Sequence, residues 1–233
     1  MQIAAPVAHA AVVGCGTKEV VATQHTFRDQ ILLPAIASAL PWPVAFALFK
    51  HLVRRPLYAA QTEAALHGAQ RLQTIVEPAQ WRERHRLTRL CDHADLYLSL
   101  TRSDAWMRRH LRVRGSWPAE HTPFLALTFH WGAGMWSLRH MRAQGIRSAF
   151  LSARFDRSSF AGNHVAYRYA LLRSREVERA SGAKVIFTGG AADGIRAAWQ
   201  EGLSVVALYD VPPQQTKGSL PGRVLDRTAL LPG

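Results

Sequence analysis

Acidic residues are scarce in this chain: 16 Asp and Glu stand against 29 Lys and Arg, a formal charge of +13 over 233 residues. Lysine is scarce as well, only 4 of those 29, so the cationic groups are almost all guanidinium forks. Such forks bind phosphate and carboxylate bidentately, which points to anionic partners: phospholipid headgroups, nucleic acid or an acidic carrier protein. Cysteine is nearly absent. Cys15 and Cys91 alone make no disulfide scaffold, fit a reducing compartment, and without a CxxC pair leave no structural zinc site. Neither GxGxxG nor GxxxxGK[ST] occurs, so nothing supports a nucleotide-phosphate loop, and no cofactor is expected. There is no internal repeat or low-complexity tract. Residues 1–25, with Gly14-Cys15-Gly16, lack a basic start followed by a long apolar core, and read as a loose tail rather than a signal peptide.

What is present suits one sizeable globular domain, 26–233, with 48% hydrophobic residues. Ile31 to Phe49 carries no charge and approaches the length of a membrane span. Pro34, Pro41 and Pro43 interrupt it, which favours a pair of short buried or interfacial helices over a true span. Lys50, Arg54 and Arg55 follow and would suit an anionic membrane surface. Tyr58 to Arg114 reads as helical throughout, with Leu87, Leu90, Ala94, Tyr97 and Leu98 as an apolar stripe. The arginines at 82, 84, 86, 89, 108, 109, 112 and 114 read mostly as a solvated face, and Gly115 and Pro118 close the region.

From residue 116 the pattern alternates. Strands are expected at Phe124–Phe129, Ser148–Ala153, Ala183–Phe187 and Leu203–Tyr209, with helices at Met135–Gln144, Phe160–Ala180 and Ala192–Gln200. Gly145, Gly182 and Gly202 fall where helices should end, and Asp193 could cap the third helix. The expected class is α/β, a mixed central sheet flanked by helices and preceded by a mostly helical region, 26–115. The chain is organised around Phe124–Met141, where an apolar strand delivers His130 into the Gly132-Ala133-Gly134 turn and then a helix. A turn of this kind holds an ionisable group at the open edge of an α/β sheet, and its glycines let a substrate approach the backbone. His130 reads equally as a hydrogen-bonded residue at a strand end.

The segments LTFHWGAGMW (Leu127–Trp136), SAFLSARFD (Ser148–Asp156), LLRSREVERASGAKVI (Leu171–Ile186) and WQEGLSVVALYDVPP (Trp199–Pro213), in this order, resemble the lysophospholipid-acyltransferase-like superfamily. Within it they are most similar to the bacterial lipid A biosynthesis (lauroyl/myristoyl) acyltransferases. DAWMRRHLRVRG (Asp104–Gly115) resembles that family's entry into the sheet. The resemblance implies an acyltransferase-like fold; in that family more strands and helices follow, so the chain reads as either a fragment or a truncated member. It also implies a place at the cytoplasmic face of a bacterial inner membrane, peripheral or anchored by residues 31–49. The implied reaction moves an acyl chain from an acyl carrier protein or coenzyme A thioester to a lipid or glycolipid hydroxyl, with His130 as general base.

The family places an acid five positions after the histidine; this chain has Met135 there. That acid orients the imidazole and stabilises its cation, a task left here to Asp210 or Asp156, at neighbouring strand ends. Asp210 could instead be a turn-former before Pro212 and Pro213. Arg154 matches an arginine near the acceptor's anionic headgroup. Arg173 matches one that binds phosphate or phosphopantetheine, or it pairs with Glu176 or Glu178 on its own helix. Gly132 and Gly134 complete the substrate-binding set. The alternative is a non-catalytic lipid- or carrier-binding homologue that has lost the acid. No nucleic-acid motif is present, and nucleic acid is not expected as a partner.

Overall fold

The computed structural model describes residues 26–70, 77–118, 122–129 and 132–208 in full, and the backbone of 219–224 and 227–232. The expected tail at 1–25 lies outside the described residues.

The uncharged run does not form one long helix. A π-helical turn, Phe27–Leu32, leads into α1, Leu33–Ala39; the chain breaks at Leu40-Pro41 and restarts as α2, Trp42–Leu52. Pro34 and Pro43 each sit in a first turn, where a missing N–H costs no intrahelical bond. Arg102 closes the break, its Nη2 donating to the Ser38 and Leu40 carbonyls at 3.1 Å. The pair buries Ala37, Ala45 and Phe49. No helix among the described residues is long and apolar enough to cross a membrane.

The next region is helical but not throughout. It divides into α3, Ala59–Gln70, the long α4, Pro78–Thr101, and α5, Asp104–His110. Ser103 ends the expected continuity: its backbone is extended and its side chain accepts from the Trp106 N–H at 3.2 Å, starting α5 afresh. Leu111 to Pro118 is not helical. The stripe on α4 behaves as its spacing implies, with Leu90, Ala94 and Leu98 buried.

The second half is β1 (Leu125–Thr128), α6 (Gly134–Ala143), β2 (Ser148–Ser152), α7 (His164–Ser181), β3 (Ile186–Phe187), α8 (Ala191–Gln200) and β4 (Ser204–Leu208). The sheet order is β1-β4-β2-β3, and every pairing is parallel. A mixed sheet was the expectation. The four strands come out parallel because a helix returns the chain to the same end before each new strand. A separate antiparallel pair follows, β5 (Ser219–Val224) with β6 (Arg227–Pro232).

Two more expectations change. α7 starts at His164, not Phe160, because the Asn163 side chain accepts from the Ala166 N–H at 3.0 Å. Asp193 does not cap α8; Gly190 holds that position, and Asp193, inside the first turn, pairs with Arg196 at 2.6 Å. Gly182 ends α7 in the left-handed conformation, as expected.

The strands are apolar on both faces. Val206 and Phe150 join the large core made with α4, α6 and α7, whereas Val205 and Ala149 pack with Ala198 and Leu203 on the opposite face. This alternation is the period-two geometry of strands covered on both sides, which holds for β2 and β4 but not for the edge strand β1, whose Leu125 and Leu127 are exposed.

Candidate functional site

A cavity of about 460 Å³ opens where the strands end. Its mouth is formed by Thr128 and Phe129 at the end of β1, Ser152 at the end of β2 with Phe155 beyond it, and Leu208 at the end of β4. The volume is that of a small-molecule site, and the carboxyl ends of parallel strands are the usual place for one. Gly132, Ala133, Gly134 and Met135 form another part of the wall. Gly132 has φ of +114°, which a side chain at this position would strain. This tight turn leads directly into the first turn of α6.

α4 and α7 supply a charged pair to the wall beside this turn. Asp92 and Arg173 both line the cavity and form an ion pair at 2.7 Å, side chains 9% and 25% exposed. Arg173 Nη1 also donates to the Asp92 carbonyl at 3.1 Å and to the Tyr169 hydroxyl at 3.2 Å. Burial alone would raise the Asp92 carboxyl; the guanidinium charges, Arg173 first and then Arg89, outweigh it and hold it below the usual carboxylate range. Burial acts to lower Arg173, and Asp92 more than reverses that.

One helical turn further along, Asp95 is fully buried. Its Oδ2 accepts from the Met135 N–H at 2.6 Å, so a carboxyl from α4 caps the start of α6 across the fold. Its Oδ1 is buried and has no hydrogen-bond partner among the described residues. Burial pushes Asp95 well above the usual carboxylate range, against the opposing pull of the Met135 N–H and the Arg173 charge.

Behind Asp92 lies a second polar layer. His93 Nδ1 is 3.0 Å from the Tyr58 hydroxyl, which donates to the Asp29 carbonyl, and burial lowers His93 to about 3. His93 is therefore neutral in the folded protein.

No protein-family model, curated protein or solved structure matches this chain.

Of the expected site residues, Gly132, Gly134 and Arg173 are brought together on the cavity wall. His130 and Asp210 lie outside the described residues, although Phe129, Gly132 and Leu208, their near neighbours in sequence, all line the cavity. Arg173 does not pair with Glu176 or Glu178, because Asp92 reaches it from the facing helix. Glu176 instead pairs with Arg179 and accepts from the Ser99 hydroxyl. Arg154 is exposed just past β2, its guanidinium 5.2 Å from the centre of the Phe187 ring. Asp156 is exposed and holds its own turn, accepting from the Ser158 hydroxyl at 2.6 Å and the Ser159 N–H at 3.1 Å.

Asp92 and Asp95 were not singled out by the sequence pattern. Their signal was available: two acids three residues apart, adjoining the apolar stripe of a helix otherwise rich in arginine. Among the described residues, no group of three or more His, Cys, Asp or Glu side chains could hold a metal ion.

Proposed function

We propose that this chain is an acyltransferase, moving an acyl chain from a carrier-protein or coenzyme A thioester to a lipid or glycolipid hydroxyl. The observation that carries this reading is the cavity. It has an apolar interior, with Leu138, Met141, Phe150, Val177 and Val206, and a mouth lined by hydroxyls, a glycine turn and one guanidinium. An aliphatic chain fits such an interior, and a polar head fits such a mouth.

His130 belongs to the two-residue link between Phe129 and Gly132, both wall residues, so it is the base of choice. It takes the proton of the acceptor hydroxyl as that oxygen attacks the thioester carbonyl. The new C–O bond forms, the C–S bond breaks, and the departing thiolate receives the proton from the imidazolium. Asp210, two residues after the wall residue Leu208, is the acid to orient His130. Arg154 serves the acceptor's anionic headgroup.

The resemblance to lipid A acyltransferases supports the same substrate class. The exposed Phe27, Leu32 and Val44, with Lys50, Arg54 and Arg55, support a peripheral place on an anionic bilayer. No cofactor is required by this chemistry. A second reading, a non-catalytic lipid- or carrier-binding protein, is favoured by Met135, whose buried side chain stands where the family has its acid.

Transfer of a labelled acyl group from carrier protein to a membrane lipid extract separates the two. The acyltransferase reading expects loss of about 10²–10⁴-fold in His130→Ala, weakening in Asp210→Asn, and a gain in Met135→Glu. No transfer from either donor class, with lipid or carrier binding intact, would leave the binding protein.

A further inference from the structure

The parallel sheet gives the cavity a direction. The parallel strands β1, β2 and β4 end at the mouth, so their starts mark its far end. α6 and α7 run back from mouth to far end, since each connects the end of one strand to the start of the next. The bridge between Ser148 and Gly182, at the start of β2 and just past the end of α7, fixes this for α7. Wall residues can therefore be ranked by depth. Arg173 and Ser174 lie near the mouth and Val177 lies a turn deeper; Gly134 and Met135 lie at the mouth and Met141 near the far end. Polar groups collect at the shallow positions, whereas Met141, Val177, Val185 and Trp117 form the deep ones.

Trp117 has a special position among these. It comes from the non-helical segment before the sheet, and its ring stacks on Phe124, just ahead of β1, at 6.4 Å between centroids. Its indole N–H donates to His140 Nδ1 at 2.9 Å. An indole can only donate, so His140 must be the acceptor with Nδ1 unprotonated. A large ring thus lines the far end of an apolar cavity, and its hydrogen bond to His140 on α6 fixes its angle.

We infer that the cavity takes a single unbranched aliphatic chain tail-first, and that Trp117, latched by His140, is the end wall that sets the longest chain accepted. This inference rests on the acyl-binding reading of the cavity and adds orientation and length selection to it. Trp117 is a specificity residue and His140 its positioning residue; neither takes part in bond making.

The test is calorimetric titration of the full chain with saturated fatty acids from hexanoate to palmitate. Each methylene buried should strengthen binding by about fourfold until the tail meets Trp117, where the series should break and level off. Trp117→Ala should move the break to longer acids, each added methylene again giving about fourfold. His140→Phe should blur the break while leaving affinity for the shortest acids unchanged. If Trp117→Ala does not fold, Trp117→Leu serves in its place, with a smaller shift in the same direction. A break that stays put in a folded Trp117 variant overturns the inference, as does binding by wild type with no break. Failure of wild type to bind any of the acids would overturn the acyl-binding reading itself.

Discussion

Replacing Arg173 by methionine is the sharpest probe of the charged pair in the cavity wall. The substitution keeps much of the side chain's apolar length and removes the only described guanidinium within ion-pairing distance of Asp92. Asp92 is 9% exposed and would keep its charge with no opposing partner in reach. Breaking a buried pair from one side costs about 3–5 kcal/mol. A quarter of the Arg173 side chain faces open space, so the low end, about 3 kcal/mol, applies. With a urea m-value of about 2 kcal/mol/M, the unfolding midpoint near neutrality should fall by about 1.5 M.

The pH dependence gives the sign. In wild type the depressed Asp92 carboxyl contributes stability that is present above the unfolded value, about 3.9, and is lost as pH falls through the folded one. Without Arg173 burial prevails and the carboxyl shifts upward, so acid should relieve the variant. Asp92→Asn combined with Arg173→Met should recover much of the loss. Tryptophan fluorescence in urea, at neutral and mildly acid pH, reads all of this. A loss under about 1 kcal/mol, identical at both pH values, would refute the reasoning.

Other outcomes follow from the neighbouring groups. Asp95, raised by burial, favours the protonated folded state, so its contribution is lost as pH rises from the unfolded value toward the folded one. Asp95→Asn keeps an acceptor for the Met135 N–H and should flatten that decline in unfolding experiments; a steeper decline would contradict it. His93, lowered by burial to about 3, must bind a proton on unfolding anywhere between that value and about 6.5. It should therefore weaken the fold by up to about 1.4 kcal/mol per unit of acidification in that window, and His93→Asn should reduce the acid slope. An unchanged slope would count against a neutral, buried His93. Gly132→Ala meets no close atom but must hold φ of +114°. It should cost about 1–3 kcal/mol and lower acyl transfer, and a fully active, equally stable variant would show that the turn tolerates a side chain.

Much of the α/β half could be read from the sequence because its signals are local. Phe124 to Met141 announces a strand, a glycine turn and an amphipathic helix within eighteen residues, and the structure places β1 and α6 there. Gly182 could be read as a helix end for the same reason: the left-handed conformation is written in one residue. The site's electrostatics could not be read this way. Arg173 meets Asp92 across 81 positions, and Asp95 meets Met135 across 40. The nearer acids, Glu176 and Glu178, were plausible partners by helical spacing, but Glu176 is committed to Arg179 and Ser99. The break at Ser103 was masked by a continuous apolar pattern, and the parallel sheet depends on connections that periodicity does not specify. Asp156 holds its turn through one carboxylate oxygen, Oδ1, a local role that its two following serines could have announced.

The most direct test of the central claim follows one labelled acyl chain through a single turnover. Wild type and His130→Ala are each mixed with labelled acyl carrier protein and a lipid acceptor, and the label is counted on the donor, on the protein and on lipid. The account expects wild type to carry the label to lipid, and His130→Ala to bind the donor normally but leave the label on it. Equal transfer by both proteins would remove His130 from the chemistry, and no donor binding by wild type would remove the cavity from it.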